Sequence, residues 1–147
     1  MAPSKGEIMY ILKTEKSFDS AHFLADYEGK CKNIHGHRWR VVVEIQTEQL
    51  ETDRQLRGMY VDFGVFKKDM AAETELLDHA LIIEKGTLRQ KTMEALAEEG
   101  FRVVEMDFRP TAENFSKYFY YRIKDKGYDV RCATVYETPK NSASYME

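Results

Sequence analysis

Residues 31–47 read CKNIHGHRWRVVVEIQT, and their second half is the clearest strand pattern in the chain. Val41–Val43 and Ile45 are β-branched residues, which favour extended structure. A strand is therefore predicted from Arg38 to about Thr47. The other predicted elements and the candidate site residues are placed relative to this strand.

Two histidines stand at the entrance of this strand. His35 and His37 are two residues apart, so the alternation of side chains along a strand sends both imidazoles to one face and sends Arg38 and Arg40 to the other. Two imidazoles on one face can bind the same metal ion. A pair of half-exposed strand histidines without a ligand role is an equally good reading of this motif alone.

A third imidazole is available at the end of another predicted strand, which runs from Ile8 to about Ser20 and is followed by Ala21 and His22. Three neutral nitrogen ligands leave one tetrahedral position open, which is the arrangement of catalytic zinc. A structural zinc site would instead fill four positions, usually with thiolates. The inclusion of His22 depends on how the two strands are arranged.

The two cysteines lie in different contexts. Cys31 is flanked by Lys30 and Lys32 in a polar loop, where neighbouring cations favour the thiolate form; the alternative is a small buried hydrophobic residue. Cys132 lies in the middle of a predicted strand, and a structural role is favoured for it. Two such cysteines do not form a disulfide framework, and a reducing, cytoplasmic location is expected.

Two further motifs carry carboxylates. Asp78 and His79 follow a predicted helix, and a carboxylate can orient an adjacent imidazole for proton transfer. Neighbouring residues in regular structure point apart, so the pair needs a turn to cooperate; a solvated helix end is the alternative. Glu137 shares a strand face with Ala133 and Val135, so it either points into a pocket or is an exposed strand-end acid.

The remaining pattern predicts an α+β protein. Helices are expected over 63–76 with Asp62 as N-cap, over 87–99, and from Thr111 as N-cap to about Gly127. Further strands are expected over 102–106 and 129–137. The 147 residues suit one domain spanning 1–147, with 1–7 as a loose polar tail.

The composition argues against several classes of partner. The formal charge is -3, and lysines and arginines are scattered among acids without a basic stripe, so no nucleic-acid partner is expected. The sequence contains no run of 18 or more apolar residues, so no membrane span is expected. It also shows no basic-then-apolar leader.

Six motifs occur in an order that resembles the 6-pyruvoyl-tetrahydropterin synthase and 6-carboxy-tetrahydropterin synthase family, from about Phe18 to Tyr145. They are Ser20-Ala21-His22, Cys31-x-x-x-His35-Gly36-His37, Val61-Asp62-Phe63, Leu77-Asp78-His79, Pro110-Thr111-Ala112-Glu113-Asn114 and Glu137-Thr138-Pro139. The three residues between Cys31 and His35 resemble the bacterial 6-carboxy subgroup. The chain departs from the family at Arg38-Trp39 and in the long segment 84–108.

The resemblance implies a site with three kinds of residue. They are the Zn²⁺ ligands His22, His35 and His37; the proton-transferring base Cys31, assisted by Asp78 and His79 of a neighbouring subunit; and the pterin anchor Glu137. It also implies the tunnelling fold, with an antiparallel sheet, helices packed on one face and sheets joined into an oligomeric barrel, commonly a homohexamer built as a dimer of trimers.

The activity that the resemblance implies is a zinc-dependent lyase reaction on 7,8-dihydroneopterin triphosphate. The expected products are 6-carboxy-5,6,7,8-tetrahydropterin, acetaldehyde and triphosphate, on a route to queuosine-type deazapurines. The alternative is 6-pyruvoyl-tetrahydropterin synthase, which eliminates triphosphate from the same substrate. A less favoured alternative is a zinc-stabilised pterin-binding protein without turnover, since binding alone needs neither Cys31 nor Asp78 and His79.

Overall fold

The structure is a computed structural model that describes residues 9–147. The expected loose tail over 1–7 and the expected start of the first strand at Ile8 lie outside the described residues. The strands are β1 (Tyr10–His22), β2 (His35–Thr47), β3 (Ala80–Glu84), β4 (Val103–Met106), β5 (Val130–Thr138) and β6 (Asn141–Tyr145). The helices are α1 (Phe63–Glu75), α2 (Gln90–Glu98) and α3 (Ala112–Lys124).

The predicted helices and their caps are confirmed. The carboxylate of Asp62 accepts hydrogen bonds from the backbone N–H groups of Gly64 and Val65 at the start of α1. The hydroxyl of Thr111 accepts from the N–H of Asn114 at the start of α3. These bonds satisfy donors that have no partner within the helix.

The predicted order of elements is wrong in two places, because β3 and β6 were not expected. The sheet has the strand order β4-β3-β1-β2-β5-β6 and curls into a half-barrel. Strands β1 and β2 pair antiparallel along their whole length. Strand β3 pairs parallel to both β1 and β4, so the sheet is mixed and the expectation of an antiparallel sheet is wrong at this end. The reason is α2, which links β3 to β4 as a crossover and so makes them parallel.

The core lies on one face of the sheet. Alternate residues of β2, from Trp39 to Ile45, are fully buried there, as are Phe66 of α1 and Phe115 and Phe119 of α3. The expected packing of helices on one face therefore holds for α1 and α3. The α+β class is confirmed.

Helix α2 lies toward the opposite face of the sheet. Its Leu96 lines a cavity with Ala21 and Leu81, which pair with each other across β1 and β3. Ala21 precedes the core-facing His22 in β1, so its side chain points to the face away from the core. None of the helices within residues 9–147 is long and apolar enough to cross a membrane.

Candidate metal and catalytic site

The hairpin of β1 and β2 brings the three predicted histidines together. His22, the last residue of β1, pairs directly with His35, the first residue of β2. The ring centroids are 4.6 Å apart for His22 and His35, 5.2 Å for His22 and His37, and 4.9 Å for His35 and His37. Each ring is thus a direct neighbour of the other two.

Backbone carbonyls determine which nitrogen of two of these rings carries the proton. Nδ1 of His22 lies 2.7 Å from the carbonyl oxygen of Pro110, and Nδ1 of His35 lies 2.7 Å from that of Asn33. A carbonyl only accepts, so both Nδ1 atoms donate, and in the neutral rings both Nε2 atoms are left as acceptors. These Nε2 atoms are only 3.1 Å apart. Two lone pairs at this distance repel each other unless a cation or a proton lies between them.

The third nitrogen is also free to bind an ion. Nε2 of His37 is buried and has no aligned hydrogen-bond partner among the described residues, although Oε1 of Glu137 is 2.9 Å away. Ligand atoms of the three histidines and of Glu137 all lie within 4.8 Å of one another. Nitrogens around a tetrahedral zinc ion are about 3.3 Å apart. The cluster therefore has the geometry to bind a metal ion.

Burial favours the neutral form of two of the three rings, His22 and His37. It lowers the pKa of His22 to about 4, with smaller contributions from the nearby His35 and His37, while the Pro110 carbonyl acts in the opposite direction. Burial also lowers the pKa of His37, against the opposing effect of Glu137. Neutral imidazole is the form that binds metals, so His22 and His37 are in the form that binds an ion at neutral pH.

Buried aromatic side chains pack against the histidine rings and restrain them. The indole of Trp39 meets His22 and His37 nearly edge to face, with centroid distances of 4.9 and 5.4 Å. Phe18 stacks parallel to Trp39, and Phe115 contacts it edge to face at 4.9 Å. Trp39, which belongs to the Arg38-Trp39 departure from the family pattern, therefore packs directly against the histidine cluster.

Cys31 lies close to this cluster along the chain. It is the central residue of a 3-10 turn, Lys30–Lys32, and is partly exposed. The turn is followed by Asn33, whose carbonyl orients His35. The loop that carries Cys31 therefore also fixes the His35 ring. Cys132, by contrast, is buried, which agrees with a structural role.

The turn that Asp78 and His79 require is present. His79 adopts a left-handed conformation with φ 53°, and its Nδ1 lies 3.0 Å from Oδ2 of Asp78. The other oxygen of Asp78 accepts a 2.8 Å hydrogen bond from the N–H of Asp19, while the N–H of His79 donates to the carbonyl of Asp19 at 2.6 Å. The Asp19 N–H, followed by the contacts with His79, holds the pKa of Asp78 below its usual range.

Within one chain, Cys31 and His79 do not share a cavity. His79 is exposed and borders a cavity of about 690 Å³ whose walls include Ala21, Arg38 and Leu96. Cys31 is not among the residues that line it. Within one chain, Cys31 and the Asp78-His79 pair therefore lie apart from each other in this respect.

Glu137 borders a second cavity, of about 420 Å³, together with His37, Arg40 and Tyr136. The Arg40 guanidinium stacks over the Tyr136 ring at 3.8 Å and pairs with Glu15 at 2.7 Å. Glu137 is thus a pocket-lining acid rather than a solvated strand end. Its contact with His37 leaves it able to bind either the ion or a ligand in this cavity.

The fold defines an α+β protein of the tunnelling-fold class, and its histidine cluster has the geometry to bind a metal ion. Residues 11–147 match the family model described as 6-pyruvoyl tetrahydropterin synthase, and the chain belongs to this family. Members of the family are lyases.

Individual relatives cover nearly the whole chain. The 6-carboxy-5,6,7,8-tetrahydropterin synthase of Haemophilus influenzae is 29% identical over 142 residues, covering 95% of this chain and 100% of the relative. The protein of the same name from Rickettsia conorii is 34% identical over 131 residues, covering 83% and 89%. The crystal structure of an uncharacterized protein from Wolinella succinogenes has a TM-score of 0.76 at 21% identity, covering 96% of this chain and 99% of the other.

Proposed function

We propose that this protein is a zinc-dependent lyase that converts 7,8-dihydroneopterin triphosphate to 6-carboxy-5,6,7,8-tetrahydropterin, releasing acetaldehyde and triphosphate. The observation that supports it best is the pair of Nε2 atoms of His22 and His35, which face each other at 3.1 Å with His37 alongside. The names of the relatives from Haemophilus influenzae and Rickettsia conorii support the 6-carboxy product.

His22, His35 and His37 would hold the zinc ion, as three nitrogen ligands suit a catalytic zinc. When bound, zinc supplies a Lewis acid that polarises a coordinated oxygen. The hydrogen bonds to Pro110 and Asn33 orient two of these ligands from outside the coordination shell, which is the usual way in which proteins fix histidine ligands. The burial of His22 keeps this ligand unprotonated.

Cys31 would act as the base that moves protons between carbons of the substrate side chain. The lysines on either side favour its thiolate. Asp78 would orient His79 and stabilise its charged form, so that the pair relays protons to and from Cys31. Because the two groups do not share a cavity within one chain, His79 would come from a neighbouring subunit.

Glu137 would anchor the pterin ring. Its carboxylate can accept two parallel hydrogen bonds from the N–H groups of an amidine-like ring edge. The adjoining cavity of about 420 Å³ is of the size that ligand pockets have. Anchoring at this position would place the substrate side chain next to the histidine cluster.

The assembly that fits this site is a homohexamer, a dimer of trimers with sites at subunit interfaces. A cytoplasmic location also belongs to the proposal, since both cysteines are free and one of them is required as a thiol.

The zinc-loaded protein incubated with 7,8-dihydroneopterin triphosphate tests the proposal. We expect 6-carboxy-5,6,7,8-tetrahydropterin by mass spectrometry, with one acetaldehyde per product. A 6-pyruvoyl product without acetaldehyde would establish the alternative, which the family description favours. No turnover from a fully zinc-loaded protein would leave only the pterin-binding reading.

A further inference from the structure

The turn that carries Asp78 and His79 is held from outside by one arginine. Nη1 of Arg102 donates a 2.6 Å hydrogen bond to the carbonyl of Asp78, and Nη2 donates to the carbonyls of Leu76 and Glu75 at 2.7 and 3.1 Å. Arg102 immediately precedes β4, and its own carbonyl accepts from the N–H of Leu81 in β3 at 3.0 Å. One guanidinium thus bridges the end of α1 and the beginning of the turn that contains Asp78 and His79.

These contacts satisfy groups that need a partner. The last carbonyls of a helix have no N–H donor within the helix, and cations are favourable at this end of the helix dipole. A guanidinium donates from a rigid planar fork, so it can bind several carbonyls in one fixed geometry. Arg102 therefore restrains the backbone after Glu75 more firmly than a single hydrogen bond would.

The turn also requires such restraint. A residue other than glycine with positive φ is uncommon and is kept in place by its surroundings, and His79 has φ 53° with a side chain that is 79% exposed. On one side the turn is bound to the backbone of Asp19. On the other side it is bound to Arg102.

We propose that Arg102 is a positioning residue for the Asp78-His79 pair, and that the long segment 84–108 supports the active site by carrying this arginine. The inference rests on the proposed function, in which His79 relays protons. It gives a role to one of the two parts of the chain that depart from the family pattern. Arg102 acts through the backbone of the turn, where all three of its guanidinium hydrogen bonds end, although it also lines the cavity that His79 borders.

The test compares Arg102→Ala with the wild type and with Arg89→Ala, an exposed arginine of the same segment that makes no capping hydrogen bond. We expect kcat to fall about 10-fold or more in Arg102→Ala, because small displacements of a catalytic group are costly. KM and zinc content should stay within twofold of wild type. Arg102→Lys should recover part of the rate, and Arg89→Ala should match the wild type.

A second measurement does not depend on turnover. Amide hydrogen exchange at His79 and Asp19 should become faster in Arg102→Ala and stay unchanged in Arg89→Ala. If the wild type makes no pterin product, the proposed lyase function fails, while the exchange rates still decide whether Arg102 holds the turn. Unchanged exchange at His79, or faster exchange with an unchanged kcat, would overturn the inference.

Discussion

Burial of His22 has a consequence for the metal-free protein. Its pKa is about 4 in the folded chain against an ordinary value of 6.5, so between these values the unfolded chain binds a proton that the folded chain does not. This difference makes the free energy of unfolding highest above about pH 6.5 and lowers it as the pH falls toward about 4. We expect the Tm of the metal-free protein to fall across this window, measured by thermal melts at pH 7, 5 and 4.

The matched variant is His22→Gln, which has no group titrating in this range at that position. Its Tm should change less between pH 7 and pH 4 than that of the metal-free wild type. An equal fall in both proteins would show that other groups cause the acid sensitivity.

The metal assignment is tested at His35. Replacing it with alanine removes one of the two facing Nε2 atoms, so the His35→Ala protein should purify with little zinc by atomic absorption. His79→Ala is the matched control, because His79 is exposed and outside the cluster, and its zinc content should be that of the wild type. Full zinc occupancy in His35→Ala would contradict the ligand set.

At the level of single residues, the sequence indicates most of the candidate site. The spacing of His35 and His37 predicts a common face, and the structure places both rings beside His22. The carbonyls that orient these rings have no sequence signal, because every residue has one and only the fold determines which is near. The contact between His37 and Glu137 likewise depends on the pairing of β2 with β5.

At the level of elements, an ion pair joins α1 to α3. The carboxylate of Glu73, only 5% exposed, binds Arg122 at 2.7 Å and Lys126 at 3.3 Å. Glu73→Gln removes the charge but keeps the shape, leaving both cations without their buried partner. We expect a loss of about 1–3 kcal/mol in the free energy of unfolding, measured by urea denaturation.

The control for this prediction is Glu75→Gln, two residues later on the same helix, where the side chain is exposed. It should change the free energy of unfolding by less than about 0.5 kcal/mol. Equal effects of the two substitutions would show that the ion pair adds nothing beyond the charge of the helix.

The elements that the sequence predicted are those with a clear period. The valine-rich β2 and the helices with apolar residues every three to four positions were placed within a few residues of their observed limits. Strand β3 was missed because Leu81, Ile82 and Ile83 form a short apolar run without alternation, directly after a helix. Strand β6 was missed because its first four residues, Asn141–Ser144, are small and mostly polar, and only its pairing with β5 makes it a strand.

At the level of the whole molecule, the proposal divides the site between subunits. Cys31→Ala and His79→Ala should each retain zinc and assembly while losing most turnover. When the two variants are unfolded, mixed equally and reassembled, about a quarter of the sites should combine an intact Cys31 with an intact His79 from another chain. Activity should therefore return in the mixture, measured as pterin product per zinc.

Each variant unfolded and reassembled alone controls for the refolding step and should show no recovery of activity. Light scattering should give six times the chain mass of 17.2 kDa for all of these proteins. A fully assembled mixture that stays inactive would place Cys31 and His79 in the same chain.

Trp39 is the sole tryptophan of the sequence, and it lies against two of the proposed ligands. The emission of an indole responds to the charge of an imidazole in contact with it. Tryptophan emission, excited selectively over that of the nine tyrosines, therefore reports on the histidine cluster, and it should change when an ion binds there without any added dye.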